Sequence, residues 1–424
     1  MSLIVTKFGG TSVATPERML VAARRLVAYQ QQGHRVVAVV SAMGKSTDDL
    51  LALAHKVNPD PPARELDVLL TTGELVSISI LAMAVASLGV PVKSFTGRQA
   101  GIVTTERHSK AQISHIKANR LVQALDEGNI IIVAGFQGTT KTGELTTLGR
   151  GGSDTSAVAL AAALGADLCE IYSDVDGVYT ADPRVVPRAQ KLESISYEEM
   201  LELAACGSGV LQMRAVEFAR NYKVTLCCRS AFNDNPGTIV REEAVEQAIV
   251  SGIAYDNTLA KVTIRGVPDT TGIAASVFGA IAKAGVNVDI IVQNVSERGF
   301  TDISFTVPVS DLDRLNPVLD KQTAKLGARE YLVDENITKL SLVGAGLRTS
   351  PGIAAKMFKV LSQSGVNIEM ISTSSIRICV VIDAGLSELA LQALHTAFNL
   401  DSQQIFEDKI LSPEEQAAKA KKGR

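Results

Sequence analysis

Over the first half of the chain, short and nearly uninterrupted apolar runs alternate with longer stretches whose apolar residues recur every three or four positions. Leu3 to Thr6 is one such run, and it leads into Lys7-Phe8-Gly9-Gly10-Thr11-Ser12. Behind it Met19, Leu20, Ala23, Leu26 and Val27 recur at helical spacing, with Pro16 placed for a first turn. Arg35 to Val40 is a continuous apolar run of the kind buried on both faces of a parallel sheet. It ends in Ser41-Ala-Met-Gly44, and a helical stretch follows over 46–56. The alternation returns at Val92 to Phe95, Ile130 to Ala134 and Glu170 to Tyr172. This pattern predicts a three-layer α/β domain with a mainly parallel sheet over residues 1–245. In such sheets ligands gather at the carboxyl ends of the strands. Four turns fall there: Lys7–Ser12, Ser41–Thr47, Gly149–Asp154 and Ser173–Asp176.

The character changes after Asn233-Asp-Asn-Pro-Gly237. Asp269-Thr-Thr-Gly272-Ile-Ala-Ala-Ser-Val-Phe278 is similar to Thr349-Ser-Pro-Gly352-Ile-Ala-Ala-Lys-Met-Phe358, and Gly285-Val-Asn287-Val-Asp-Ile-Ile291 to Gly365-Val-Asn367-Ile368-Glu-Met-Ile371 at the same offset. Residues 261–334 and 339–406 therefore read as a duplicated β-α-β-β-α-β, ferredoxin-like unit. The expected division is 261–334 for the first unit, and 246–260 with 335–411 for the second. Residues 412–424 are charged and poor in bulky side chains, and the expectation is a disordered tail.

Composition narrows the class. A chain of 424 residues suggests two or three domains, and 46% hydrophobic with 21% charged residues fits a packed globular protein. A net charge of −3 gives no pointer to nucleic acid or to an acidic membrane surface. No uninterrupted apolar run reaches the ~18 residues of a membrane span, and the N-terminus lacks a signal-type apolar core. Cys169, Cys206, Cys227, Cys228 and Cys379 are scattered, odd in number and without metal-binding spacing. Reduced buried thiols, a cytoplasmic setting and no protein-built metal site are expected.

Chemistry concentrates in Leu148-Gly-Arg150-Gly151-Gly152-Ser153-Asp154, which opens an Ala- and Leu-rich helix read as Asp154 to Leu164. Ser153 or Asp154 is suited to cap that helix, whose amides then form an anion site. Arg150 adds a planar fork for a carboxylate or phosphate. No GxxxxGK[ST] loop, no GxGxxG after a strand and no HRD/DFG pair is present. Two glycine-rich turns with cations, Lys7 and Arg150, stand beside an acidic loop running from Ser173 to Arg184. Phosphoryl transfer needs this combination, because it depends on positioning and charge stabilisation more than on covalent chemistry.

Taken together, Lys7-Phe-Gly-Gly-Thr-Ser12, Thr72-Gly-Glu74, Phe95-Thr-Gly-Arg-Gln-Ala-Gly101, Val133-Ala-Gly-Phe-Gln-Gly138, Gly149–Asp154 and Ser173-Asp-Val-Asp-Gly-Val-Tyr179-Thr-Ala-Asp182-Pro-Arg184 resemble the aspartate kinase family. The duplicated C-terminal units are similar to its paired ACT domains, so the resemblance covers nearly the whole chain. It implies an amino-acid-kinase fold that makes 4-phospho-L-aspartate from ATP and aspartate with Mg²⁺. It assigns Lys7 and Asp154 to catalysis, and Thr47, Glu74, Arg150, Gly151, Gly152 and Ser153 to substrate. Lys7, Gly9, Gly10, Ser41, Ser173, Asp174, Tyr179, Asp182 and Arg184 would meet the nucleotide. Asp269, Ile273, Ala274, Asn287, Gln293, Asn294, Asn367 and Ile368 would serve lysine and/or threonine as effectors, with a homo-oligomer formed through the ACT domains. Other readings of the same residues are a kinase for another small acidic acceptor and a weakly active amino-acid-sensing subunit.

The chain departs from the family pattern at a few places. Gly209 stands where relatives usually carry a lysine that approaches the nucleotide, which predicts a raised KM for ATP. Lys45 and Leu75 stand where an acidic residue and an arginine are common, and Ser350 and Ser375 where His and Glu are more frequent.

Overall fold

The structure, a computed structural model, describes residues 2–242, 249–294, 299–348 and 350–401. The expected tail at 412–424 lies outside the described residues. The first half builds β1 (Leu3–Phe8), α1 (Pro16–Gln31), β2 (Arg35–Val40), α2 (Ser46–Val57), α3 (Ala63–Ser87), β3 (Val92–Phe95), β4 (Ile102–Thr104), β5 (Ile113–Ile116), α4 (Asn119–Asp126) and β6 (Ile130–Ala134). It continues with β7 (Gln137–Thr139), β8 (Leu145–Thr147), α5 (Gly152–Leu164), β9 (Leu168–Ser173), β10 (Ser194–Ser196), α6 (Tyr197–Ala205), α7 (Met213–Tyr222), β11 (Leu226–Ser230) and β12 (Thr238–Arg241).

Eight of these strands form one sheet in the order β10-β12-β11-β9-β1-β2-β6-β3, parallel except where β12 meets β11. Alternate residues of a strand face opposite layers, so a run buried on both sides must be apolar throughout. In β2, Val37 and Val39 enter the core under α4, α5, α6 and α7, while Val36, Ala38 and Val40 enter the core under α1 and α3. β5-β4-β7-β8 make a small second sheet beside α3. Helix α3 has the length and hydropathy of a membrane-crossing helix, with half of that window buried. Its buried positions include Asp67, Thr71, Glu74 and Ser77, so it is a core helix that carries polar groups inward.

Two antiparallel units follow. The first comprises β14 (Leu259–Pro268), α8 (Ile273–Lys283), β15 (Ile291–Gln293), β16 (Phe300–Pro308), α9 (Leu312–Leu326) and β17 (Glu330–Asp334), with strand order β15-β16-β14-β17. The second comprises β18 (Ile337–Val343), α10 (Ile353–Gln363), β19 (Met370–Thr373), β20 (Arg377–Asp383) and α11 (Ser387–Ala397). Its fourth strand is β13 (Gly252–Asp256), which precedes the first unit and pairs with β18. The 339–406 repeat therefore does not supply all four of its strands; the fourth comes from 246–260, the segment that the expected division joins to the second unit. Ile253 and Ala254 are apolar and buried, and they cover the edge of β18 before the chain enters the first unit.

Candidate functional site

β1 and β2 end side by side, and the turns that follow them interlock. A side chain at Gly10 would come within 2.9 Å of the Ala42 carbonyl, so only glycine admits this approach. Gly44 N–H donates to the Gly10 carbonyl at 3.0 Å. Gly73 plays the same part on α3: its missing side chain lets the helix lie against Ala42. The next residue, Glu74, then accepts a hydrogen bond from Ala42 N–H at 3.2 Å. The other oxygen of Glu74 is buried without a partner, and burial raises its pKa to about 8.

Lys7 is the penultimate residue of β1 rather than part of the turn behind it. Its ammonium meets the Asp154 carboxylate at 2.6 Å, with the two side chains 11% and 10% exposed. Asp154 comes from the other side of the cleft. Helix α5 begins at Gly152, two residues before the expected start, and its cap is Gly151 in the left-handed region (φ 72°) rather than Ser153 or Asp154. The local packing explains the shift. At Gly151 a side chain would fall 2.1 Å from Gln212, and at Gly152 2.8 Å from Leu148. Glycine at both positions lets the chain turn early and swing Ser153 and Asp154 into the first helical turn.

These elements enclose a cleft of about 300 Å³ lined by Lys7, Gly9, Gly10, Ser41, Thr47, Glu74, Arg150, Gly151, Gly152, Ser153 and Asp154, together with Phe136, Gly149 and Gln212. Arg150 is exposed and forms no ion pair among the described residues. Ser173, Asp174, Tyr179, Asp182 and Arg184 do not line this cleft. They lie on the loop behind β9, whose Tyr172 carbonyl accepts from Gly9 N–H at 3.2 Å, so the two regions adjoin. Asp182 and Arg184 grip each other (2.7 Å), which holds the Asp182 carboxyl below its usual range. Burial and Asp176 raise the Tyr179 hydroxyl.

Four supporting residues were not assigned to the site beforehand. Gln212 packs over Gly151. Arg214 reaches the Leu148 carbonyl at 2.7 Å and the Ala111 carbonyl at 3.3 Å, bracing the turn from below. Phe136 takes a positive φ of 66°, held by Ser156 Oγ on its N–H. Asp67, inaccessible to solvent, accepts from Thr147 Oγ1 and from Ser109 N–H and fixes the loop beside Gly149. An acid within an apolar helix was the one clue.

The effector candidates divide between places. Asp269, Ile273 and Ala274 at the start of α8, with Gln293 and Asn294 at the end of β15, share one end of the first unit's sheet. Asp269 N–H reaches the Gly299 carbonyl, and Thr301 Oγ1 reaches the Asn294 carbonyl. Asn287 lies past the far end of α8, and Asn367 and Ile368 lie in the second unit before β19. No single cluster within the chain unites all eight.

A parallel-sheet sandwich with a Lys–Asp pair between two glycine turns, followed by two ferredoxin-like units, defines a small-molecule kinase with regulatory modules. Consistent with this, residues 2–230 match the amino acid kinase family, and residues 262–327 and 340–398 each match an ACT domain. The chain is 53% identical to the aspartokinase of Corynebacterium glutamicum over 95% of its own length and 97% of that protein. The crystal structure of Escherichia coli aspartokinase III in complex with aspartate and ADP (R-state) superposes with a TM-score of 0.80 at 26% identity, covering 93% of this chain and 99% of that one. The same enzyme in complex with lysine and aspartate (T-state) gives 0.74 at 25% identity over the same shares. The chain belongs to the aspartokinase family, and it is an ATP-dependent phosphotransferase of that class.

Proposed function

We propose that this cleft transfers the γ-phosphoryl group of ATP to the β-carboxylate of L-aspartate, yielding 4-phospho-L-aspartate, the first step toward lysine, threonine and methionine. The observation that carries the reading is the Lys7–Asp154 pair in a cleft whose opposite wall holds a buried, half-partnered Glu74 and a free Arg150 fork. An aspartate side chain, with its ordinary pKa of ~3.9, is already a nucleophile at neutral pH, so no general base is required. The barrier comes from bringing that carboxylate to a polyphosphate. Lys7 answers it by neutralising charge where it develops, and the start of α5 adds aligned amide dipoles. Gly9 and Gly10 admit phosphates to the backbone. Arg150 and Ser153 hold the α-carboxylate, and the ammonium completes the pairing of Glu74. Thr47 and Ser41 close the side of the pocket, while Ser173, Asp174, Tyr179, Asp182 and Arg184 receive the nucleotide from the adjoining loop.

Among the described residues no three His, Cys, Asp or Glu side chains converge on a metal position. Mg²⁺ binds chiefly through phosphates and water with one or two carboxylates. Asp154, a carboxylate of the cleft, would help hold it, and the ion would supply charge neutralisation on the phosphates.

Lysine and/or threonine would act through the ACT units, at Asp269, Ile273, Ala274, Gln293 and Asn294 of the first, together with Asn287, Asn367 and Ile368. The neighbour bound to lysine supports lysine as an effector. β15 and β19 are edge strands with Ile291 and Ile371 exposed, which suits a homo-oligomer formed through these units. Five free, buried thiols fit a cytoplasmic setting.

ATP-dependent formation of aspartyl hydroxamate tests the reading, with glutamate as the competing acceptor and lysine and threonine titrated singly and together. Aspartate is expected to react, and Lys7→Met should lower kcat by about 10²–10³. Preference for glutamate, or no turnover, would overturn it.

A further inference from the structure

Helix α3 carries two buried acids on one face. Asp67 and Glu74 stand two turns apart, about 10 Å along the axis, and both are closed to solvent. Glu74 opens into the cleft, whereas Asp67 does not line it. Asp67 is directed instead at the end of β8 and at the loop between β4 and β5. Its Oδ1 accepts from Thr147 Oγ1 at 2.6 Å, both of its oxygens accept from Ser109 N–H at 3.0 Å, and its Oδ2 lies 2.8 Å from His108 Nδ1. Arg64 and Glu144 also join α3 to the turn before β8, but both are about half exposed, and such a pair holds little. The buried carboxylate is the anchor.

Both segments that Asp67 holds lead to Arg150. Thr147 ends β8, and only Leu148 and Gly149 separate it from Arg150. Gly149 takes a φ of 77°, and a side chain there would lie 3.1 Å from the Ser109 carbonyl, so the 105–112 loop seats directly against it. Ser109 has a φ of 63°, a conformation uncommon outside glycine, and its N–H is the one that Asp67 holds. Ala111 N–H donates to the Thr147 carbonyl at 2.9 Å, and Arg214 closes the other side on the Leu148 and Ala111 carbonyls. The Arg150 fork is thus mounted on a turn whose position is set from α3, the helix that also presents Glu74.

We propose that Asp67 is a positioning residue that fixes the length of the acceptor this cleft accepts. The inference rests on the kinase reading, in which Arg150 takes the α-carboxylate and Glu74 the ammonium. Those two groups sit on one carbon of the acceptor, so α3 places that carbon from both sides. The reacting carboxylate then stands one methylene away in aspartate and two in glutamate, and Lys7 marks where it must arrive. With the Arg150 turn clamped, the longer side chain overshoots Lys7. With the turn loose, the anchored carbon can retreat and the longer acceptor fits. One methylene in a shaped pocket is worth roughly 10–200-fold in discrimination, and the clamp is what keeps that factor.

The test uses the full chain with Asp67→Asn, which keeps the shape and removes the charge, and Thr147→Val, which removes a single bond and leaves the fold less exposed to damage. In both, kcat/KM for glutamate relative to aspartate is expected to rise about tenfold, with KM for aspartate raised and KM for ATP within about twofold of native. Thr147→Ser keeps the hydroxyl and should restore the native ratio. A merely structural role would lower kcat for both acceptors and leave their ratio unchanged, and that result, or an equal rise in KM for ATP, would overturn the proposal. Amide hydrogen exchange read by mass spectrometry tests the clamp without turnover. Peptides covering 105–112 and 146–152 should exchange faster in Asp67→Asn and Thr147→Val and at the native rate in Thr147→Ser. Native exchange in the first two variants would overturn the clamp. A native chain inert toward both acceptors would overturn the kinase reading and the selectivity with it, while exchange still decides the clamp.

Discussion

The two regulatory units share a sequence pattern and a sheet design, yet they are attached to the molecule in different ways. The first builds its sheet from its own strands, and among the described residues its two ion pairs to the outside, Asp289–Lys339 and Lys261–Glu369, both end on the second unit. The second borrows β13 and is bonded to the catalytic domain at two places. Along α6, Glu199 accepts from Ala345 N–H at 3.0 Å and from Ser251 Oγ, and Glu202 pairs with Arg377. On the loop behind β9, Thr180 meets His395 Nε2 at 2.9 Å and its carbonyl accepts from Ile253 N–H, while Ala181 and Val186 enter the second unit's own core. Both attachments lie next to the cleft: α6 leads to Gln212, and the loop carries Tyr179, Asp182 and Arg184. Duplication supplied two similar modules, and the borrowed strand gave the second of them direct purchase on the catalytic machinery.

The comparison is tested most severely at Glu199. Its buried carboxylate caps α6 through Ser196 and also holds two groups of the second unit. Glu199→Ala leaves several buried donors without an acceptor, and about 3 kcal/mol of stability should be lost in urea unfolding. Lys261→Ala, the matching cut on the first unit, removes a partly exposed cation that pairs with Glu369 and Asp334 and should cost less, about 1 kcal/mol. Equal losses would erase the distinction between the units.

The attachment on the loop is expected to be weaker and sensitive to pH. Thr180→Val removes the partner of His395 and should cost about 1–2 kcal/mol. Burial lowers the pKa of His395 below its ordinary value. The unfolded chain therefore takes up a proton more readily than the folded one, and stability is lost as pH falls below about 6.5. Urea unfolding at pH 7.5 and 5.5 should show that loss in the native chain and less of it in His395→Gln. An identical loss in both would remove His395 from the account.

Much of this was legible in the sequence, because burial on both faces of a parallel sheet demands apolar runs, and Val36 to Val40 could hardly do otherwise. The glycine turns were legible for a similar reason: Gly10 and Gly73 lie where no side chain fits. Less visible was anything set by distant packing. The early start of α5 depends on Gln212 and Leu148 closing over Gly151 and Gly152, and those contacts exist only once α7 has docked. The repeat alone does not mark the borrowed strand β13, which lies outside the repeated segment, although 246–260 was expected to join the second unit. Arg214 and Phe136 act through backbone groups, and Asp67 through partners some forty and eighty residues away, which leave no trace in residue spacing.

The smallest expected effect concerns the loop between α6 and α7, where the second unit's hold passes to the cleft. Gly209 is exposed at φ 66°, and a side chain there would meet only the Gly207 carbonyl, at 3.8 Å. A lysine has room, but the left-handed backbone should cost it about 1 kcal/mol. Its ammonium would extend toward the polyphosphate at an exposed position, where a new ion pair contributes up to about 1 kcal/mol and so lowers the KM for ATP by up to about fivefold. Gly209→Ala separates the two effects, because it carries the same backbone cost without the charge. The lysine variant should lower KM for ATP while alanine leaves it unchanged, with similar losses of stability. If both shift KM alike, the loop acts on the nucleotide through its backbone conformation, and the second unit's hold on α6 becomes the direct control over ATP.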